Sequence, residues 1–65
     1  MKKYKVVDMT CGKDTVGYAD TISGVKKLAK NWCENILEGA YIFYYPLDEI
    51  TGKYKFSERE FLEAY

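Results

Sequence analysis

The side chains that chemistry would draw on are two cysteines, Cys11 and Cys33, ten carboxylates and ten cations, with no histidine. Without histidine the usual general base is missing, and so is the usual partner of a serine or cysteine nucleophile. A zinc centre wants three or four Cys, His or carboxylate ligands at a recognisable spacing, which two cysteines far apart in sequence do not supply. The carboxylates read as structural, with Asp8 and Asp48 in turns, Asp20 and Glu60 in helix caps, and Glu58 and Glu63 on a solvated helix face, and no pair stands out as an acid/base couple. Cys11 sits in a glycine-containing turn beside Lys13, a setting that can lower a thiol pKa. Thr51 holds the equivalent place in a second turn, which points to a small turn residue instead. Cys33 falls on an apolar helix stripe and reads as core. No glycine run has a phosphate-loop or dinucleotide fingerprint. The sequence therefore predicts no catalytic residue, no metal and no cofactor, and leaves binding as the activity.

The binding pattern comes from alternation along the strands. If Tyr4, Val6, Val16, Tyr18, Tyr54 and Phe56 face the helices, a period of two places Lys3, Lys5, Thr15, Lys53 and Lys55 on the other side of the sheet. The segment from Ala40 to Tyr45 adds either Tyr41, Phe43 and Tyr45 or Ala40, Ile42 and Tyr44 to that side, and the sequence leaves both open. The first choice gives a candidate binding set of Lys3, Lys5, Tyr41, Phe43, Tyr45, Lys53 and Lys55. Such a face suits a protein partner, the adaptor or inhibitor type of module, and alternatively a single-stranded nucleic acid whose bases stack on rings among cations. Tyrosine and lysine also serve on exposed strands simply as cross-strand pairs. The element order is not that of an RRM. A second candidate surface is the outer side of the long helix, where Lys26, Lys27 and Lys30 precede Glu34 and Glu38, against the helix dipole.

The elements that must position these residues read as strand, strand, helix, twice. Lys3 to Met9 and Thr15 to Ala19 form a hairpin around Asp8-Met9-Thr10-Cys11-Gly12-Lys13, where Asp bonds its own backbone and Gly accepts a left-handed conformation. The same grammar returns in Asp48-Glu49-Ile50-Thr51-Gly52-Lys53, so the halves share either an ancestor or only a common hairpin solution. Between them Ile22, Val25, Leu28/Ala29, Trp32/Cys33 and Ile36/Leu37 recur at helical spacing, which predicts a helix over about 22–38. Asp20 or Thr21 can cap its start, and Gly39 its end. The segment Ala40 to Tyr45, apolar on both faces, predicts a central strand. A short strand runs from Lys53 to Phe56. Ser57-Glu58-Arg59-Glu60 has the form of a capping box, predicting a C-terminal helix over about 58–65 with Phe61, Leu62 and Tyr65 inward. The expected fold is α+β: a four-stranded, mainly antiparallel sheet in β-β-α-β-β-α order with both helices on one face.

Sixty-five residues suffice for one small domain, and 48% hydrophobic residues favour a folded chain over a disordered one. Net charge is zero, which removes the simplest argument for nucleic acid. The halves differ, however: residues 1–32 sum to +4 and residues 33–65 to −4. Two cysteines are too few for a disulfide framework, and no apolar segment follows the charged start or is long enough to span a bilayer. The expectation is a cytoplasmic protein with reduced thiols and no membrane contact, of the kind common among accessory proteins of bacteria and their phages, acting as a monomer or weak homodimer.

Overall fold

The computed structural model describes residues 2–10, 12–34 and 41–62. In chain order these form strands β1 (Tyr4–Asp8) and β2 (Asp14–Ala19), helix α1 (Ile22–Glu34), strands β3 (Ile42–Asp48) and β4 (Lys53–Tyr54), a 3-10 turn (Phe56–Glu58) and strand β5 (Glu60–Leu62). The expected α+β architecture is present: a curled antiparallel sheet in the order β2-β1-β3-β4, with β5 also on β3 and α1 on one face. Among the described residues no helix is long and apolar enough to cross a membrane.

Both turns form by the mechanism their residues predict. Asp8 Oδ1 accepts the Thr10 N–H at 2.9 Å and Asp48 Oδ1 accepts the Ile50 N–H at 3.0 Å. Gly12 and Gly52 both take positive φ, 122° and 73°, where an L side chain is strained. Helix α1 starts at the Thr21 cap, whose Oγ1 accepts the Gly24 N–H at 3.0 Å. Its buried stripe is Val25, Ala29 and Cys33, packed on Val6, Ala19, Ile42 and Leu62, with Tyr4, Val16, Leu28, Trp32 and Tyr44 half-buried around them. Cys33 is a buried free thiol. The expected helix residues 35–38, the Gly39 cap and Cys11 lie outside the described residues.

Strand β3 is central, as its two apolar faces predict: β1 runs along one edge, and β4 and β5 share the other. β1 is central as well, and Val6 and Val7, on opposite faces, are both fully buried. The helix comes close to β2 at Gly17, where a Cβ would lie 3.2 Å from the Leu28 methyls.

Two expectations need correction. The predicted C-terminal helix is not there over 58–62: after the 3-10 turn, Glu60–Leu62 is a strand on β3, and 63–65 lie outside the described residues. A capping box saves two backbone bonds locally, whereas the free edge of β3 offers a ladder, a buried place for Leu62 beside Ile42, and ring contacts for Phe61. Tyr18 does not face the helix either. The β1–β2 register slips between Val6 and Val7, pairing Val6 with Gly17 but Val7 with Thr15, so Val16 is an extra residue and Tyr18 falls opposite Lys5.

Candidate functional site

The helix leaves one face of the sheet to other side chains, and the register states which. Lys5 pairs with both Tyr18 and Tyr45, Val7 pairs with Phe43, and Phe43 pairs with Phe61, so these residues share the face opposite α1. Of the two open choices for β3, the structure takes Tyr41, Phe43 and Tyr45, while Ile42 and Tyr44 pack toward the helix. Lys3 continues the β1 alternation on the side of Lys5, and its carbonyl accepts the Leu47 N–H at 2.8 Å.

Lys53 and Lys55 are not part of this surface. Leu47 pairs with Tyr54 and Asp48 with Lys53, so Tyr54 joins the Tyr45 side and the lysines flanking it point the other way. Lys55 instead reaches Glu58 at 3.2 Å. The expectation placed Tyr54 and Phe56 against the helices and so inverted this strand; both rings in fact touch Tyr45, at 6.2 and 5.3 Å between centroids.

What the face contains is a line of rings interleaved with cations. Tyr41 and Phe61 lie 6.2 Å apart and Phe61 and Phe43 5.3 Å apart. The Arg59 guanidinium sits 6.0 Å from the Phe43 ring and 4.4 Å from that of Phe56. Lys13 Nζ lies 4.2 Å from Phe56 and 5.7 Å from Tyr45. At the far end Tyr54 meets Tyr18 at 5.5 Å, with Lys5 Nζ 6.0 Å from the Tyr18 ring. Cations this near aromatic faces gain about 0.5–1 kcal/mol each at exposed sites. Among the described residues, neither Lys5, Lys13 nor Arg59 has a carboxylate within ion-pair distance.

The two ends of the line differ from its middle. Tyr41, Phe61 and Tyr18 are 58%, 52% and 46% exposed, whereas Tyr45 is 2% exposed beneath Phe56, Tyr54 and Lys13. Tyr45 is thus a core residue of a second, smaller core on this side, shared with the fully buried Val7. Its role in the candidate set is to support neighbours, since nothing outside can stack on it.

Tyr41 is held by a relay from the helix. Trp32 Nε1 donates to Asp8 Oδ2 at 2.8 Å, the Thr10 hydroxyl donates to Asp8 Oδ1 at 2.6 Å, and the Tyr41 N–H donates to Thr10 Oγ1 at 3.0 Å. Burial pushes the Asp8 carboxyl up, but the bonds from Thr10 and Trp32 outweigh it and hold it below the ordinary carboxylate value. The Tyr54 phenol is pushed up chiefly by its burial, with the neighbouring Tyr18 adding to this, and its hydroxyl donates to the Lys2 carbonyl at 2.7 Å.

Sequence reasoning missed Lys13, Tyr18, Tyr54, Phe56, Arg59 and Phe61 as members of this face. Lys13 was legible as the residue two before Thr15, which the alternation already put on this side; its turn equivalent Lys53 points the other way. Arg59 and Phe61 were assigned to a helix, and no sequence signal relocates them. Comparison of the chain with models of known families, with curated proteins and with solved structures finds no match.

Proposed function

We propose that this protein is a small non-catalytic interaction module, of adaptor or inhibitor type, that holds an acidic segment of a partner protein against the helix-free face of its sheet. One observation carries the reading: Lys5, Lys13 and Arg59 stand among aromatic rings with no carboxylate of the described residues within ion-pair distance, although the chain as a whole has zero net charge. Charge held to one side of a neutral molecule steers and selects a partner of opposite sign. The exposed rings supply the apolar contact that interface centres use. Strand addition is a poorer way to bind here, because β2 carries a bulge and the opposite edge is broken by the 3-10 turn. The module works inside the cell as a monomer or weak homodimer, two cysteines being too few for a disulfide framework.

A second reading, single-stranded nucleic acid, is favoured by the alternation of ring and cation along the face, since stacking platforms between charges are how sequence-tolerant binders hold single strands. The test uses the wild-type chain and an Arg59→Ala, Phe61→Ala double variant as bait in affinity capture from the native host. A protein retained by the wild type and lost by the double variant is the expected result. In parallel, labelled single-stranded oligonucleotides are titrated by fluorescence anisotropy at low and moderate salt. Binding that weakens steeply with salt replaces the protein reading with the second one, and a partner captured equally by both baits removes this face from the function.

A further inference from the structure

On the helix side of the sheet, beyond the first turn of α1, Tyr4, Ile22, Tyr44, Pro46, Glu58 and Glu60 surround a cleft of about 260 Å3. Glu60–Leu62 pairs with the edge of β3, and the side chains of Tyr4, Tyr44 and Pro46 are half-buried. The Tyr4 and Tyr44 rings meet edge to face at 5.9 Å and 75°. The Tyr44 hydroxyl donates to Glu60 Oε2 at 2.8 Å, an interaction that pushes the phenol up and keeps it protonated. One accepted bond leaves most of the lone pairs of an ionised carboxylate open, and among the described residues no cation pairs with Glu60. Its neighbour Glu58 already holds the Lys55 ammonium at 3.2 Å, so the mouth of the cleft attracts cations from within this chain.

We infer that this cleft is a binding site for the end of an aliphatic cation, an alkylammonium or alkylguanidinium group, with its stem against Ile22 and Pro46 and its charge between the Glu60 carboxylate and the tyrosine rings. A concave site with both apolar surface and convergent polar groups suits a small amphipathic ligand. A carboxylate beside aromatic faces selects a cation over a neutral group of equal shape. The site is on the reverse of the sheet from the cationic face and stands or falls independently of the function proposed above. The same chemistry arrives either as a free small amine or as a lysine or arginine side chain of a protein.

The test is a 1H–15N NMR titration of the full chain with n-butylammonium, with N-butylguanidinium, with the neutral isostere N-butylurea, and with a glycine-flanked arginine peptide. Saturable shifts centred on Tyr4, Ile22, Tyr44 and Glu60 are expected for the cations, at affinities of about millimolar, and none for the urea. Glu60→Gln, which keeps the shape, is expected to weaken binding about tenfold. Lys55→Ala is expected to tighten it by freeing Glu58, an effect opposite in sign to any general loss of structure. Response to the small cations assigns a free ligand, and response to the peptide alone assigns a protein side chain. Equal shifts with the urea, insensitivity to Glu60→Gln, or no saturable shift with any probe overturns the proposal.

Discussion

Trp32 on the helix and Asp8 at the end of β1 are joined by a 2.8 Å hydrogen bond from the indole Nε1–H to Oδ2, and the same carboxylate holds Thr10, which holds Tyr41. The bond therefore ties helix, first turn and exposed ring into one unit. Trp32 itself is half-buried and packs at the margin of the core cluster, with Val25, Ala29 and Cys33 at its centre. Trp32→Phe keeps most of the packing and removes the donor, so its expected cost is about 1.5–3 kcal/mol, the range for a bond to a charged group. Trp32→Ala loses its partial packing as well and is expected to cost more than Trp32→Phe, about 3 kcal/mol. Urea denaturation followed by circular dichroism measures both; a melt unchanged in Trp32→Ala contradicts the helix register.

Acid is expected to weaken the fold. Burial raises the Asp8 pKa but its hydrogen bonds lower it further, so the folded value lies below the unfolded one. Asp20 is lowered chiefly by its bond from Lys2, and Asp48 chiefly by the Ile50 N–H. A carboxyl whose folded pKa is depressed contributes stability that is complete above the unfolded value, about 4, and is lost as pH falls through the folded value. The urea midpoint should thus hold steady from neutrality to about pH 5 and fall below about pH 4. Asp8→Asn should lower the midpoint at neutral pH and shrink the acid-induced drop; a drop of undiminished size would assign the pH dependence to other groups.

Tyr45 and its neighbours on the same face should separate stability from binding. Tyr45→Ala empties a site that is 2% exposed beneath Phe56 and Tyr54, and is expected to cost about 3–5 kcal/mol. Tyr41→Ala and Phe61→Ala remove rings that are more than half exposed, and each should cost about 1 kcal/mol of stability or less. The partner's affinity should respond in the reverse order, with Phe61→Ala and Arg59→Ala weakening capture while the folded state survives. Lys53→Ala, on the other side of the sheet, should leave capture unchanged.

Cys33 should be unreactive in the folded protein and labelled once the chain unfolds, because it is buried on the helix stripe. Intact mass after alkylation under denaturing, non-reducing conditions is expected to show two added labels, one for each cysteine. A mass showing none would mean a Cys11–Cys33 disulfide and an oxidising compartment.

The sequence by itself determined the parts of this protein whose causes are local. Asp8 and Asp48 start their turns because each carboxylate reaches a backbone N–H two residues on, and Gly12 and Gly52 accept positive φ because they lack a Cβ. The 3.6-residue period from Ile22 to Cys33 selected the helix and its buried side, and the doubly apolar run before Pro46 selected a central strand. Only the tertiary structure decided the composition of the candidate site. Side-chain direction in a strand reverses with each residue, so the single extra residue at Val16 was enough to move Tyr18 across the sheet, and the pairing of Leu47 with Tyr54 was enough to send Lys53 and Lys55 away from the rings. The segment after Ser57 carries a helix-start signal, yet Glu60–Leu62 became a strand because the edge of β3, distant in sequence, was there to pair with it and to cover Leu62. Register and edge pairing depend on contacts between residues far apart in the chain, and no local pattern contains them.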